Sequence, residues 1–531
     1  MKRVISVILF LGLAFLGGSY ASAADKAGEA AQGYLEPIAV DEPIVLLAEP
    51  PPLTKARKQA MEDAVDRHSY LEGPRVPQTG VPEPPARDTE TIPRGAGTMA
   101  PLAVTPGTFQ IDRKTDLGGL PPAGFKSVVD EPSAATAGKF VFYTGNWYAA
   151  RSTDGGKTFG FIDPFAGLPD FCCDQDVIYD PGRDMHIWFR QTVASTTSNT
   201  VRIGVTKNGG ATFTYYDFTP VSLNAAWTNQ WFDYPRIVVS NNYLWVASNM
   251  FSTTGAQAWT RTFIIRLNLD DMFASEAVSW AYFAATDVFN FTPVQGATTT
   301  MYWGTHVNTT TLRIFRWDEV GTTILSDNVT IPSWTSTPRG SAICTTADGF
   351  TPCARFDDRI MSGWLANWDG FPGEKMIGFF WNVKQSAGFL KPYTNAALFR
   401  ERDRSYVARP FIRSDAGAWI YADGAPNGRG NLGVSLNYVS NYPHLYAAID
   451  DDFNGAPPSW ETKPVQMGTN GPSQNKWGDY NRARPHYPAG LKWIATGHVL
   501  IGGTLGDAVS PRYVLFGRSR DSRSLTRWLV K

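Results

Sequence analysis

Long apolar runs are scarce. After the N-terminal stretch "MKRVISVILFLGLAFLGGSYASA", no segment of the 531-residue chain is apolar enough to cross a bilayer, so no later membrane span is expected. Charge of one sign is also lacking. With 48 Lys and Arg against 49 Asp and Glu, the formal net charge is -1, and only 18% of residues are charged. That removes the basic field that would draw nucleic acid. Cysteine is rare. The four present, Cys172, Cys173, Cys344 and Cys353, have no CxxC spacing, which argues against a zinc site.

The N-terminal stretch itself reads as a secretory signal over residues 1–23. Lys2 and Arg3 form a basic start, Val4 to Leu16 is apolar, and Ala21-Ser22-Ala23 is a small-residue cleavage pattern. The apolar run is shorter than the ~20 residues a span needs. A secreted or periplasmic location follows, and disulfides become the expected state of the cysteines. Cys344 and Cys353 can close a short local loop. Adjacent Cys172 and Cys173 can form a vicinal bridge or pair elsewhere.

Residues 24–124 are proline-rich, as in "GPRVPQTGVPEPPARD", and read as an extended tether or pro-segment. One amphipathic helix is expected within it, in "LTKARKQAMEDAVDRHSYLEG".

From 125 to 531 the pattern becomes regular. Aromatics reach 13%, beside 49 glycines and 37 prolines, a composition for strands joined by tight turns. Segments starting at Glu131, Tyr234, Thr292 and Arg409 each place a proline ten residues before an apolar residue, as in "YPRIVVSNNYLWVAS". Each reads as strand, turn, strand. Three looser copies start at Asp176, Asp358 and Asp479. Spacings of roughly 45 to 70 residues suit four-stranded blades. The fold expected is all-β, a β-propeller of about seven four-stranded blades. A string of sandwiches is the rival architecture, and prolines disfavour a helical solenoid.

Two glycine-rich stretches, "STDGGKTF" and "TKNGGATF", lie 54 residues apart. In the first, Ser152, Asp154, Gly156, Thr158 and Phe159 occupy the positions held by Thr206, Asn208, Gly210, Thr212 and Phe213 in the second. The side chain of Asp154 or Asn208 is expected to accept from turn amides, the glycines to allow the turn, and the phenylalanines to anchor it. Both stretches resemble the Asp-box (BNR repeat), Ser/Thr-x-Asp-x-Gly-x-Thr-Trp/Phe, of sialidase-like β-propellers, the second with Asn for Asp. The resemblance extends over residues 125–531.

That resemblance implies a functional cleft where the innermost strands begin, opposite these turns. The residues there would be Glu131, Asp176, Asp233, Tyr234, Thr292, Asp357, Asp358, Arg409 and Asp479, flanked by Arg236, Arg355, Arg359, Arg482 and Arg484. Sialidases of this fold use a tyrosine–glutamate pair, an acidic aspartate and three arginines on the substrate carboxylate. The chain has these residue types, but "YPRI" at 234–237 reverses the family's Arg-Ile-Pro order. Asp176, Asp233, Tyr234 and Asp358 are the catalytic candidates. Glu131, Arg236, Arg409, Asp479, Tyr480, Arg482 and Arg484 are the substrate-binding ones. In "WGDYNRARPHY", Trp477 and Tyr480 are suited to stack on a sugar, but packing where the ring closes is the first reading of both. No cofactor is required. A calcium ion would neutralise close carboxylates, though no loop motif spells one out. The expected ligand is an extracellular glycan or other cell-surface ligand. Recognition or processing of carbohydrate leads, with glycosidic hydrolysis ahead of a polysaccharide lyase. A non-catalytic adhesion or scaffold propeller is the competing class. The sequence is silent on oligomeric state.

Overall fold

The computed structural model describes residues 28–44, 46–47, 59, 61, 63, 73–84, 91, 107–121, 124–368, 373–454 and 460–522. The signal stretch lies outside them, as does most of the expected helix. Of that helix, Gln59, Met61 and Asp63 are described and helical. Among the described residues no helix is long and apolar enough to cross a membrane.

Seven antiparallel sheets follow one another along the chain, and each is ordered from its first strand outward. The first strands are Ser133–Ala137, Phe171–Asp180, Gln230–Val239, Thr292–Pro293, Ile360–Asn367, Ala418–Pro426 and Arg482–Pro485, opening blades 1 to 7. This is a seven-bladed propeller. A single blade would expose both faces. In the ring, bulky side chains fill the gaps instead: Trp188 lies 5.1 Å from Phe142 between blades 2 and 1, and Phe283 lies 5.5 Å from Phe315 between blades 3 and 4. The high aromatic content is consumed this way, with Trp245 and Trp303 fully buried.

The ring is closed by pairing between distant parts of the chain. Phe109–Asp116 forms the outer strand of blade 7 against Val509–Arg518, with Arg518 opposite Phe109 and Arg512 opposite Asp116. The propeller therefore begins before residue 125. The segment read as a tether also differs from expectation. Gly28–Leu35, Pro37–Pro43 and Leu46–Leu47 add a fifth strand to blades 3, 2 and 1 in turn. Prolines are tolerated there because an outermost strand needs only one bonded edge. Residues 73–84 then cross blade 4, where Thr79 N donates to Thr309 Oγ1 at 2.8 Å.

The two glycine-rich turns join the third and fourth strands of blades 1 and 2. Asp154 Oδ1 accepts from the amides of Lys157 and Thr158 at 2.9 and 3.0 Å, and Asn208 Oδ1 from those of Ala211 and Thr212 at 3.1 and 3.0 Å. Ser152 and Thr206 hydroxyls accept from Gly156 N and Gly210 N. Gly156 has φ +81°, and a Cβ there would sit 2.3 Å from the Tyr513 ring.

Two outcomes follow from these contacts. Gly156→Ala meets both a left-handed backbone and a filled site, so it should lower the urea midpoint by an amount equivalent to ~1–3 kcal/mol. A wild-type midpoint would contradict the packing described. A fragment beginning at residue 105 should unfold in one cooperative step, whereas one beginning at 120, lacking the closing strand and buried Phe109, should lose ~3–5 kcal/mol or more. Equal thermal transitions for the two fragments would show that 109–116 does not close the ring.

Candidate functional site

The seven first strands converge on an axis, and residues at or before their starts form a narrow cleft at one end. Val129, Glu131, Asn146, Cys173, Asp174, Asp233, Tyr234, Arg355, Arg359 and Asp479 line it, and a second small hollow with Tyr421 and Asp357 adjoins it. Segments from around the ring build this mouth. Glu131 precedes the first strand of blade 1. Cys173 and Asp174 lie early in that of blade 2. The loop 331–359, between blades 4 and 5, supplies Arg339, Arg355, Asp357 and Arg359. Both expected disulfides are present: Cys172–Cys173 at the rim and Cys344–Cys353 within that loop. The latter ties the short helix Pro352–Arg355, and hence Arg355, to the loop body.

Backbone strain is concentrated here. Glu131, Cys173, Tyr234 and Tyr421 have φ of 47°, 115°, 58° and 56°. Side chains with a Cβ adopt such angles only where the surroundings impose them, at a cost of ~1–3 kcal/mol each.

Charges at the mouth are largely matched. Arg355 grips Asp479 through Nη2–Oδ2 at 3.1 Å and Nε–Oδ1 at 3.3 Å. Arg359 forks onto Asp357 at 2.8–2.9 Å and lies 4.3 Å from the Tyr234 ring centre. Burial works to raise the Asp479 carboxyl, but Arg355, Arg339 and Arg359 together hold it below its ordinary value. Glu131 and Asp174 have no such arginine fork. They hydrogen-bond each other, and burial lifts both. Glu131 rises to about 7, with the Asp479 charge adding and Arg355 opposing. Asp174 rises well above the carboxylate range, with Glu131 and Asp233 adding. Two buried acids in contact share a proton because both cannot ionise. Burial also takes the Tyr234 phenol up to about 12. Among the described residues, no group of three or more His, Cys, Asp or Glu is arranged to hold a metal.

Of the residues singled out from sequence, Glu131, Asp233, Tyr234 and Asp479 meet at the mouth, with Arg355 and Arg359 beside them. Tyr480 lies just beneath, buried, 6.0 Å from Tyr234 and 3.9 Å from the Arg482 guanidinium. The rest lie elsewhere. Asp176 sits deep in the channel with Arg482, Arg484 and Ser133, because its strand starts at Phe171, five residues earlier than the pattern suggested. Arg236 pairs there with Asp423 at 2.9 Å. Asp358 turns away and accepts from Thr337 N, Ser336 Oγ and Val76 N, fixing the loop and the N-terminal segment. Arg409 precedes its blade's first strand by nine residues and bonds Asn395 and Tyr393 in blade 5. Trp477 packs on His498 with ring centres 4.2 Å apart. Asp174, Tyr421 and Arg339 escaped sequence reasoning. Only Asp174 carried a signal, its place directly after the cysteine pair.

No protein-family model matches the chain, and comparison with curated proteins finds no relative. Solved structures show a partial likeness to the chain. AofleA from Arthrobotrys oligospora is 13% identical over 67% of this chain and 90% of its own, with a TM-score of 0.37. A Trypanosoma rangeli sialidase bound to the inhibitor DANA is 10% identical over 66% of this chain, which spans 56% of the sialidase, with a TM-score of 0.37. The GH93 alpha-L-arabinofuranosidase of Fusarium graminearum, in complex with arabinobiose, is 9% identical over 77% of this chain and 98% of its own, with a TM-score of 0.40. At such identities and TM-scores the seven-bladed fold rests on the strand order itself.

The raised Glu131 carboxyl makes a signed prediction. A group whose folded pKa rises from 4.5 to about 7 stabilises fully below the lower value, and that contribution is lost as pH climbs through the upper one. Glu131→Gln cannot ionise. Its stability relative to wild type should therefore increase between about pH 5 and 8, by roughly 2–3 kcal/mol. Titrations remote from the mouth cancel in this difference, while those of Asp174 and Asp479, which feel the Glu131 charge, shift with it. A difference independent of pH, measured by thermal melts of both proteins, would refute the raised value.

Proposed function

We propose that the mouth is a glycosidase-type carbohydrate site in an exported protein, and that its preferred sugars are uncharged. The single observation that carries the reading is the placing of two buried carboxyls, Glu131 and Asp174, together at a cleft that also holds Asp233, an arrangement that favours a retained proton near neutral pH. Glycosidic cleavage needs such a protonated acid for the leaving oxygen and a second carboxylate for water or the anomeric carbon. Asp233, on the first strand of blade 3 and lining the same cleft, takes the second role. Tyr234, a phenol at this pH, donates a hydrogen bond. A lyase reading would need Tyr480 or His486 as base, but burial holds the Tyr480 phenol well above its ordinary value, and His486 follows the first strand of blade 7, at the end away from the mouth.

Preference for neutral sugars follows from the arginines. A substrate carboxylate is gripped by an open guanidinium fork. Here Arg355 and Arg359 are already engaged by Asp479 and Asp357. Such pairs bind sugar hydroxyls through charge-assisted bonds without a net charge to satisfy. The two disulfides fit the oxidising compartment that an export signal implies.

The test is a panel of neutral and acidic aryl glycosides and oligosaccharides, with product analysis. Cleavage of a neutral member should fall ~100-fold or more in Glu131→Gln and Asp174→Asn, and the rate should decline above about pH 7, where Glu131 loses its proton. Binding should survive in both variants. Cleavage confined to acidic sugars, or untouched by both substitutions, would overturn the assignment. Binding without any cleavage would leave a recognition module.

A further inference from the structure

Below the mouth, the channel is crossed by a second charged tier that the proposed reaction does not use. Its members come from blades 2, 3, 6 and 7. Asp176 takes Arg482 Nε on Oδ2 and Arg484 Nη2 on Oδ1, both at 3.1 Å. Arg236 Nη1 reaches Asp423 Oδ1 at 2.9 Å. Asp423 Oδ2 accepts from Ala483 N at 2.9 Å and from Gln295 Nε2 at 3.4 Å. All five charged residues are buried.

The sum does not cancel. Three guanidinium groups face two carboxylates, and arginine does not release its proton in proteins. The charges acting most on Arg484 are those of Asp176, Asp423, Arg482 and Arg236. The arginine-paired carboxylates of the mouth, Asp479 and Asp357, have partners of their own. The geometry leaves donors to match the surplus: Arg236 Nε and Nη2 and Arg484 Nε are buried without a hydrogen-bond partner among the described residues. A buried N–H with no acceptor costs ~1–3 kcal/mol, more when charged. Water could accept from these groups, but it would leave the charge uncompensated in a poorly polarisable interior.

Access exists from the end opposite the mouth. A cavity of ≈ 630 Å³ opens there, lined by turns at 178–182, 239–241, 296–298 and 427–430, and Arg484 is on its wall with Gln295. At its rim Asp180 is paired with Arg183 and Arg429 with Asp521, so these carboxylates are already spoken for. Lys375 adds a further cation to the lining.

We propose that Arg236 and Arg484 hold a small monovalent anion of the halide class in the channel, entering through this lower cavity. The anion completes the charge balance of the inner strands and locks blades 3 and 7 to each other across the axis. It is a structural ligand, separate from the sugar site, and does not depend on the proposed activity.

The test uses the full-length protein with sodium bromide exchanged for sodium gluconate at constant ionic strength. Thermal stability should rise with bromide and saturate, by ~2 °C or more at high occupancy. Crystals soaked in bromide should show an anomalous peak within ~3.5 Å of the Arg236 and Arg484 nitrogens. Arg484→Gln, which removes the surplus charge, should lose both the bromide increment and the peak. Equal stability in the two salts, with only water beside Arg236 and Arg484, would overturn the proposal. That wild-type comparison holds even if the variant fails to fold.

Discussion

Seven first strands cannot meet at an axis without burying whatever their inward side chains carry, and here they carry charge. Every group in that column must be matched by an opposite charge, a proton or a ligand, because the interior does not screen it. Lower down, Asp176 and Asp423 meet Arg482, Arg484 and Arg236. Higher up, Asp479 and Asp357 meet Arg355 and Arg359. Glu131 and Asp174 are matched by a proton instead. The same requirement that holds the blades in register thus favours a protonated acid at the solvent-facing end.

The mouth is supported from outside the strands as well. Loop 331–359 brings three arginines to it, and Cys344–Cys353 shortens the part that precedes Arg355. Asp358 pins the base of this loop and the N-terminal segment together through Thr337, Ser336 and Val76. A residue read as catalytic from its position is better understood as the post that fixes the rim of the mouth. The two arginines that line the cleft, Arg355 and Arg359, are engaged by the protein's own aspartates, whereas Arg339, behind them, has no partner for its Nη1 and Nη2 among the described residues.

What could be read from sequence was what depends on near neighbours. The turns at Asp154 and Asn208 find nearly all their partners within six residues, so their pattern was visible. The blades were legible through aromatic and β-branched strands at regular spacing. Register was harder. All ten residues of Phe171–Asp180 are buried, so no alternation marks where the strand starts, and the pattern points to Asp176 where Asp174 stands. Tyr421 adopts a left-handed backbone with no glycine to announce it. The outer strands over 28–47 pair with blades some 120 to 250 residues away along the chain, and proline-rich sequence gives no hint of such partners.

The claim on which the account rests is that Glu131 and Asp174 retain a proton between them near neutral pH. Difference infrared spectroscopy of wild type against Glu131→Gln at about pH 6 reads it directly, since a protonated carboxyl absorbs apart from a carboxylate. A protonated-carboxyl band in the wild type that weakens in the variant is the result predicted, with Asp174 keeping its share. Two fully ionised carboxylates at that pH would contradict it.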